Sequence, residues 1–116
     1  MKKLARGKAL DDDILTDSTY YILTSLIEPT HGYAIMQDIQ QSSKGEIVIG
    51  PASLYTILKK LQNAELIEQF KVDEERKKTY ILTKKGVDIL KKDIKRRMNM
   101  VEVGKKALKR LEGKID

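Results

Sequence analysis

From Val87 onward an apolar residue returns at every seventh position, at Val87, Ile94, Val101, Leu108 and Ile115, and no other feature restricts the fold so strongly. A seven-residue repeat keeps one stripe of an α-helix apolar. With Thr83 as N-cap it predicts a terminal helix of about 30 residues, on the order of 45 Å long. The chain has 116 residues, the size of one small domain, and such a domain cannot cover a helix of that length by itself. The companion positions Leu90, Arg97, Gly104 and Leu111 are only half apolar, with Met98 and Met100 nearby, so the stripe is expected to meet different neighbours along its length. A homodimer is the economical explanation, with Val87, Leu90, Ile94, Val101, Leu108 and Leu111 at its seam.

The preceding residues break into short units. Residues 1–10 have four basic side chains and no apolar period, which reads as a loose basic arm. Asp11 to Asp13, Thr16 and Asp17 offer caps and first-turn acids for a first helix. Its apolar residues Ile14, Leu15, Ile22, Leu23, Leu26 and Ile27 carry it to about Glu28, before Pro29. Tyr33, Met36 and Ile39 predict a second helix over residues 32–42, ending in Ser42-Ser43-Lys44-Gly45. Glu46 to Ile49 is either a short strand or extended chain, and Gly50-Pro51 then starts a third helix with proline at its first position. Leu66–Lys71 and Lys77–Leu82, around the polar tip Asp73 to Arg76, read as a β-hairpin. The expected organisation is therefore an arm over 1–10, a mainly helical domain with a small hairpin over 11–83, and a dimerisation helix over 84–116.

Charge is distributed unevenly. Residues 1–50 hold 5 basic and 7 acidic side chains, residues 51–83 hold 6 and 5, and residues 84–116 hold 12 and 5, which sums to the net +6. A basic balance favours a polyanionic partner only where the charge is presented to it, and the commoner meaning of a basic run such as Lys95-Arg96-Arg97 is a solvated face. With no cysteine and a single histidine, disulfides, thiolate nucleophiles, zinc fingers and triads lose their essential residues. No phosphate-binding glycine loop or nucleophile elbow occurs, and the acids pair only locally. No enzyme, cofactor or metal is expected. The longest apolar run is four residues, so neither a membrane span nor a signal peptide is read, and a cytoplasmic protein is expected.

The third helix carries the clearest functional signal. Leu54, Ile57, Leu58 and Leu61 form one apolar face, while Ala52, Thr56, Lys59 and Asn63 lie opposite, flanked by Ser53, Tyr55 and Lys60, and no acid occurs from Pro51 to Ala64. A helix that enters a DNA major groove must present donors to base edges and no carboxylate to phosphate. A hairpin beside it can grip the backbone through Arg76, Lys77 and Lys78. Three short helices followed by such a hairpin make the order of a winged helix-turn-helix. Tyr55 is divided between packing against the hairpin and touching the DNA backbone. Tyr33 and Tyr80 read as core-filling residues, His31 as a hydrogen-bonding residue at a helix start. Met98 and Met100 are either core filler or the lining of an adaptable pocket at the dimer centre.

His31-Gly32-Tyr33-Ala34-Ile35, the run Gly50 to Leu61 containing Leu54-Tyr55, and the run Arg76 to Gly86 containing Tyr80-Ile81-Leu82-Thr83-Lys84-Lys85-Gly86 together resemble the PadR family of bacterial transcriptional regulators. Order and spacing match across residues 14 to 90. The resemblance implies a winged helix-turn-helix in the compact subgroup with one long C-terminal helix, and a homodimeric repressor released by small phenolic, drug-like or other stress compounds. It also implies that Tyr33 can reach a phosphate. Two positions depart from the pattern: Glu65 stands where many members have a turn glycine, and Ser53 replaces the commoner threonine.

The reading is thus a dimeric, sequence-specific regulator of transcription that binds a pseudo-palindromic double-stranded operator and responds to a small apolar or aromatic effector. The alternative is a winged-helix adaptor that binds protein and not DNA.

Overall fold

The computed structural model describes residues 14–72 and 77–115; the basic arm, Asp11 to Asp13 and the hairpin tip Asp73 to Arg76 lie outside them. The elements follow the order α1 (Asp17–Ser25), β1 (Thr30–His31), α2 (Gly32–Ser42), α3 (Pro51–Asn63), β2 (Ile67–Val72), β3 (Lys78–Leu82) and α4 (Lys84–Ile115). The architecture is mainly helical, with a three-stranded antiparallel sheet in the order β1-β3-β2 and one long terminal helix. Ile22, Leu23 and Leu26 from α1 and its C-cap, Ile35 and Ile39 from α2, and Leu54, Leu58 and Leu61 from α3 close on one another as the core, with Leu66, Tyr80 and Leu82 of the hairpin beneath them.

Local chemistry sets most boundaries. Thr16 caps α1, its hydroxyl accepting from the Thr19 N–H at 3.1 Å, and Pro51 opens α3 where a missing N–H costs nothing. Thr83 caps α4 by accepting from the Gly86 N–H at 3.0 Å, while its own hydroxyl donates to the Glu65 carbonyl at 2.6 Å. The helix therefore leaves the sheet at a fixed point. Gly86 is required there, because a Cβ would overlap the Leu66 carbonyl.

α3 ends in a Schellman motif: the Glu65 N–H donates to Gln62 O and the Leu66 N–H to Leu61 O, both at 2.9 Å. Leu61 and Leu66 are both buried, the apolar pair that accompanies this motif. Glu65 holds the left-handed position, with φ of 64°. The turn geometry that its glycine-preferring position calls for is thus kept with a side chain in place.

The structure departs from the sequence expectations in the following places. α1 stops at Ser25, with Leu26 as its C-cap, three residues before Glu28; Leu26 O then accepts from the Leu82 N–H at 3.0 Å, so pairing with β3 ends the helix before Pro29 is reached. Thr30 and His31, for which no strand was expected, form β1 and pair with Tyr80 and Thr79. Of the two readings left open for Glu46 to Ile49, no strand forms and the segment is irregular chain leading into α3. Tyr33 is not core filler but stands 62% exposed.

Candidate nucleic-acid interface

α3 buries Leu54, Leu58 and Leu61 and half-buries Ile57, so its 3.6-residue period turns Ser53, Tyr55, Thr56, Lys59 and Lys60 outward, all exposed. No carboxylate interrupts this surface. Thr56 donates its hydroxyl to the Ala52 carbonyl one turn earlier, at 3.0 Å, which leaves its oxygen free to accept a hydrogen bond. At the far end of the helix, the Lys85 ammonium donates to the Ala64 carbonyl at 3.0 Å, where a cation complements the negative end of the helix dipole.

The hairpin stands beside this helix. β2 and β3 pair from Ile67↔Leu82 to Val72↔Lys78, with one extra residue, Phe70, inserted between the pairs Gln69↔Tyr80 and Lys71↔Thr79. Such a bulge increases the local twist of a hairpin. Lys77 and Lys78 are exposed at the start of β3; Arg76 lies outside the described residues.

Between wing and helices lies a cleft of about 550 Å³ lined by His31, Gly32, Tyr33, Tyr55, Lys77, Lys78 and Tyr80. It brings together four residues singled out from the sequence and drawn from three separate segments: Tyr33, Tyr55, Lys77 and Lys78. Gly32 makes this possible, since a Cβ there would overlap the Tyr55 hydroxyl. The Tyr33 hydroxyl accepts from Gln37 Nε2 at 3.2 Å. Burial, then the neighbouring Tyr55, raises the Tyr80 pKa above its ordinary value, which keeps Tyr80 a neutral donor. His31 is the N-cap residue of α2 but makes no side-chain cap hydrogen bond, so the hydrogen-bonding role expected of its ring is not realised; its place is fixed by backbone pairing to Thr79.

α4 divides into two halves. Ile89 and Leu90 are buried in the chain's own core, so Leu90, placed in the expected seam, is covered before any partner arrives. Val87 and Ile94 are partly exposed, and Met98, Met100, Val101, Leu108 and Leu111 lie open.

The clearest feature missed from sequence is Asp93, with 0% exposure. Its Oδ1 accepts from Arg96 Nε at 3.0 Å and from the Leu15 N–H at 3.3 Å, and its Oδ2 from Arg97 Nε at 2.6 Å. Burial pushes the Asp93 carboxyl up, but the donated hydrogen bonds of Arg97, Arg96 and Leu15, with the Arg97 charge, outweigh it and hold the pKa below its usual range. Arg97 also donates to Asp17 Oδ1 at 2.9 Å and to the Leu15 carbonyl at 3.1 Å, and lies 4.2 Å from the Tyr20 ring centroid. Arg96 and Arg97 are therefore not a solvated face. The i, i+3 and i, i+4 spacing of Asp93, Arg96 and Arg97 is visible in the sequence; that the group would be buried is not.

Among the described residues no helix is long and apolar enough to cross a membrane, and no cluster of His, Cys, Asp or Glu could hold a metal ion.

The model of the "Transcriptional regulator PadR-like family" matches residues 21–92. The chain is similar to RosR of H. salinarum, with 27% identity, 81% of this chain and 94% of that one covered, and a TM-score of 0.60. It is similar to the same protein in the hsRosR-S1 complex at 27% identity, with 93% and 92% covered and a TM-score of 0.65. It also resembles a PadR-like transcriptional regulator from Bacillus cereus at 25% identity, with 77% and 87% covered and a TM-score of 0.62. No curated protein sequence matches it.

Proposed function

Because the chain belongs to the PadR-like family of transcriptional regulators, and is a regulator rather than an enzyme, we propose that it acts as a homodimeric, sequence-specific repressor with α3 in the major groove of its operator and the β2–β3 wing on the adjacent phosphates. The observation that carries this reading is the continuous acid-free surface formed by the outer face of α3 and the cleft where Lys77 and Lys78 meet Tyr33 and Tyr55. Lysines and tyrosine hydroxyls at a cleft rim suit phosphate oxygens, whereas Thr56 and Lys59, on the helix face itself, suit base edges. Ser53, Tyr55 and Lys60 form the rim between them.

The open apolar stripe Val101, Leu108 and Leu111, on a helix that its own body covers only at one end, supports a dimer. Two-fold symmetry then makes the operator pseudo-palindromic, with half-sites about 34 Å apart. An effector would act by favouring one arrangement of the two subunits. Met98 and Met100, exposed on the distal half of α4, suit an apolar or aromatic ligand between subunits.

Selection of bound fragments from random duplex DNA tests the reading, and recovery of no consensus overturns it. Two variants separate gripping from reading. Lys77→Ala removes one phosphate contact per subunit, so the slope of log K against log salt becomes shallower by about 1.8, with operator and random DNA weakened alike. Lys59→Ala narrows the gap between operator and random DNA by about 1–3 kcal/mol per lost base contact. Equal weakening of both DNAs by Lys59→Ala would mean that α3 lies in the groove rotated from this placement.

A further inference from the structure

α4 is attached to the body of its own chain at two places. The first is the turn at Thr83 and Gly86, pinned to Glu65 and Leu66. The second, seven residues beyond Gly86 and thus about 10 Å along the axis, is the buried Asp93 with Arg97, which grip Leu15 and Asp17 at the start of α1. Ile89 and Leu90 lie between the two. From Met98 to Lys114 every residue is exposed.

The direction of the distal half is therefore set at the second attachment. Apolar contacts at Ile89 and Leu90 resist separation but tolerate rotation, because dispersion and burial are not directional. A guanidinium that holds a carboxylate, a backbone carbonyl and a second carboxylate at once fixes both distance and plane. α4 runs on from Arg97 to Ile115, about 27 Å at 1.5 Å per residue. A swing of about 10° at Arg97 moves the tip by about 5 Å, more than the 3.4 Å step between neighbouring base pairs.

We propose that Asp93 and Arg97 are positioning residues: their clamp on Leu15 and Asp17 sets the angle at which α4 leaves the DNA-binding body and, through it, the half-site spacing that a dimer accepts. The spacing half of this inference rests on the dimeric DNA-binding reading; the angle does not.

The chain has no cysteine, so Gln41→Cys on α2 and Lys106→Cys on distal α4 introduce two spin labels and no others. Labelled protein diluted into unlabelled protein keeps one labelled pair per dimer, and pulsed electron resonance then gives the distance distribution within one chain. A single narrow distribution is expected for this parent, and one about twice as wide in Arg97→Lys, which keeps the charge but loses the fork. Asp17→Asn, at an exposed carboxylate remote from the core, is expected to widen it less, and it decides the matter alone if Arg97→Lys fails to fold. Widths unchanged from the parent in the folded variants overturn the proposal. In parallel, DNA selection should return one half-site spacing for the unlabelled parent and additional spacings one base pair either side for Arg97→Lys, with the half-site sequence unchanged; a single spacing for both overturns the second half of the inference. A parent that selects no paired half-sites overturns the dimeric DNA-binding reading and the spacing claim together, while the distance widths still decide the clamp.

Discussion

Glu65 sits at φ 64°, where an L side chain crowds its own backbone at a cost of about 1–2 kcal/mol. Glycine avoids that crowding but loses more backbone freedom on folding. Glu65→Gly is therefore expected to raise stability by about 0.5–1 kcal/mol, read as a higher urea midpoint at unchanged m-value; a lower midpoint would mean that the Glu65 side chain contributes more than the turn costs. Gly86 gives the opposite sign. Its missing Cβ leaves room for the Leu66 carbonyl, which also accepts from the Thr83 N–H at 3.0 Å. Gly86→Ala must displace backbone that joins α4 to the sheet, at about 3 kcal/mol, and the same denaturation experiment measures it. Neither effect could be sized from the sequence alone, where glycine or its absence marks a turn without revealing what approaches it.

At the scale of elements, α2 and α3 were fully legible. Gly50-Pro51 and the four apolar positions of α3 set its start and its buried face, because each residue acts within one or two turns of itself. β1 was invisible for the converse reason: two residues have no period, and Thr30 and His31 are strand only because β3 offers them an edge. α4 was legible in length but not in how its contacts divide. The seven-residue repeat runs through both halves, yet the body covers Leu90 and leaves Val101 and Leu108 about 60% exposed. Val101→Asp places a charge in the open stripe and is expected to convert dimer to monomer in sedimentation and to abolish operator binding with it. A variant that stays dimeric would put the seam on another face of α4.

For the molecule as a whole, the buried ion pair makes stability depend on pH with a definite sign. Asp93 titrates lower in the folded chain than its unfolded value of about 3.9. Its contribution is complete above that unfolded value and is lost as the pH falls through the lower folded one. Urea midpoints measured from pH 6 down to pH 2 should therefore drop below about pH 4. Asp93→Asn should lower stability near neutrality by about 3 kcal/mol, since it takes away the buried carboxylate shared by Arg96 and Arg97 and leaves Arg97 only the exposed Asp17 as its anion, and should flatten this part of the acid limb. A variant that tracks the parent in parallel down to pH 2 would assign the acid sensitivity to other carboxylates.

The helix and hairpin order, the acid-free face of α3, the caps at Thr16 and Thr83 and the length of α4 are all written in the chain itself, because each follows from residues near one another acting through period, φ preference or a capping oxygen. The third strand, the meeting of Tyr33, Tyr55, Lys77 and Lys78 in one cleft, and the burial of Asp93 arise from packing. Those features join residues up to 82 positions apart, as Arg97 and Leu15 are, and whether a side chain at such a separation is solvated or enclosed depends on how the elements pack, a property that no local pattern encodes.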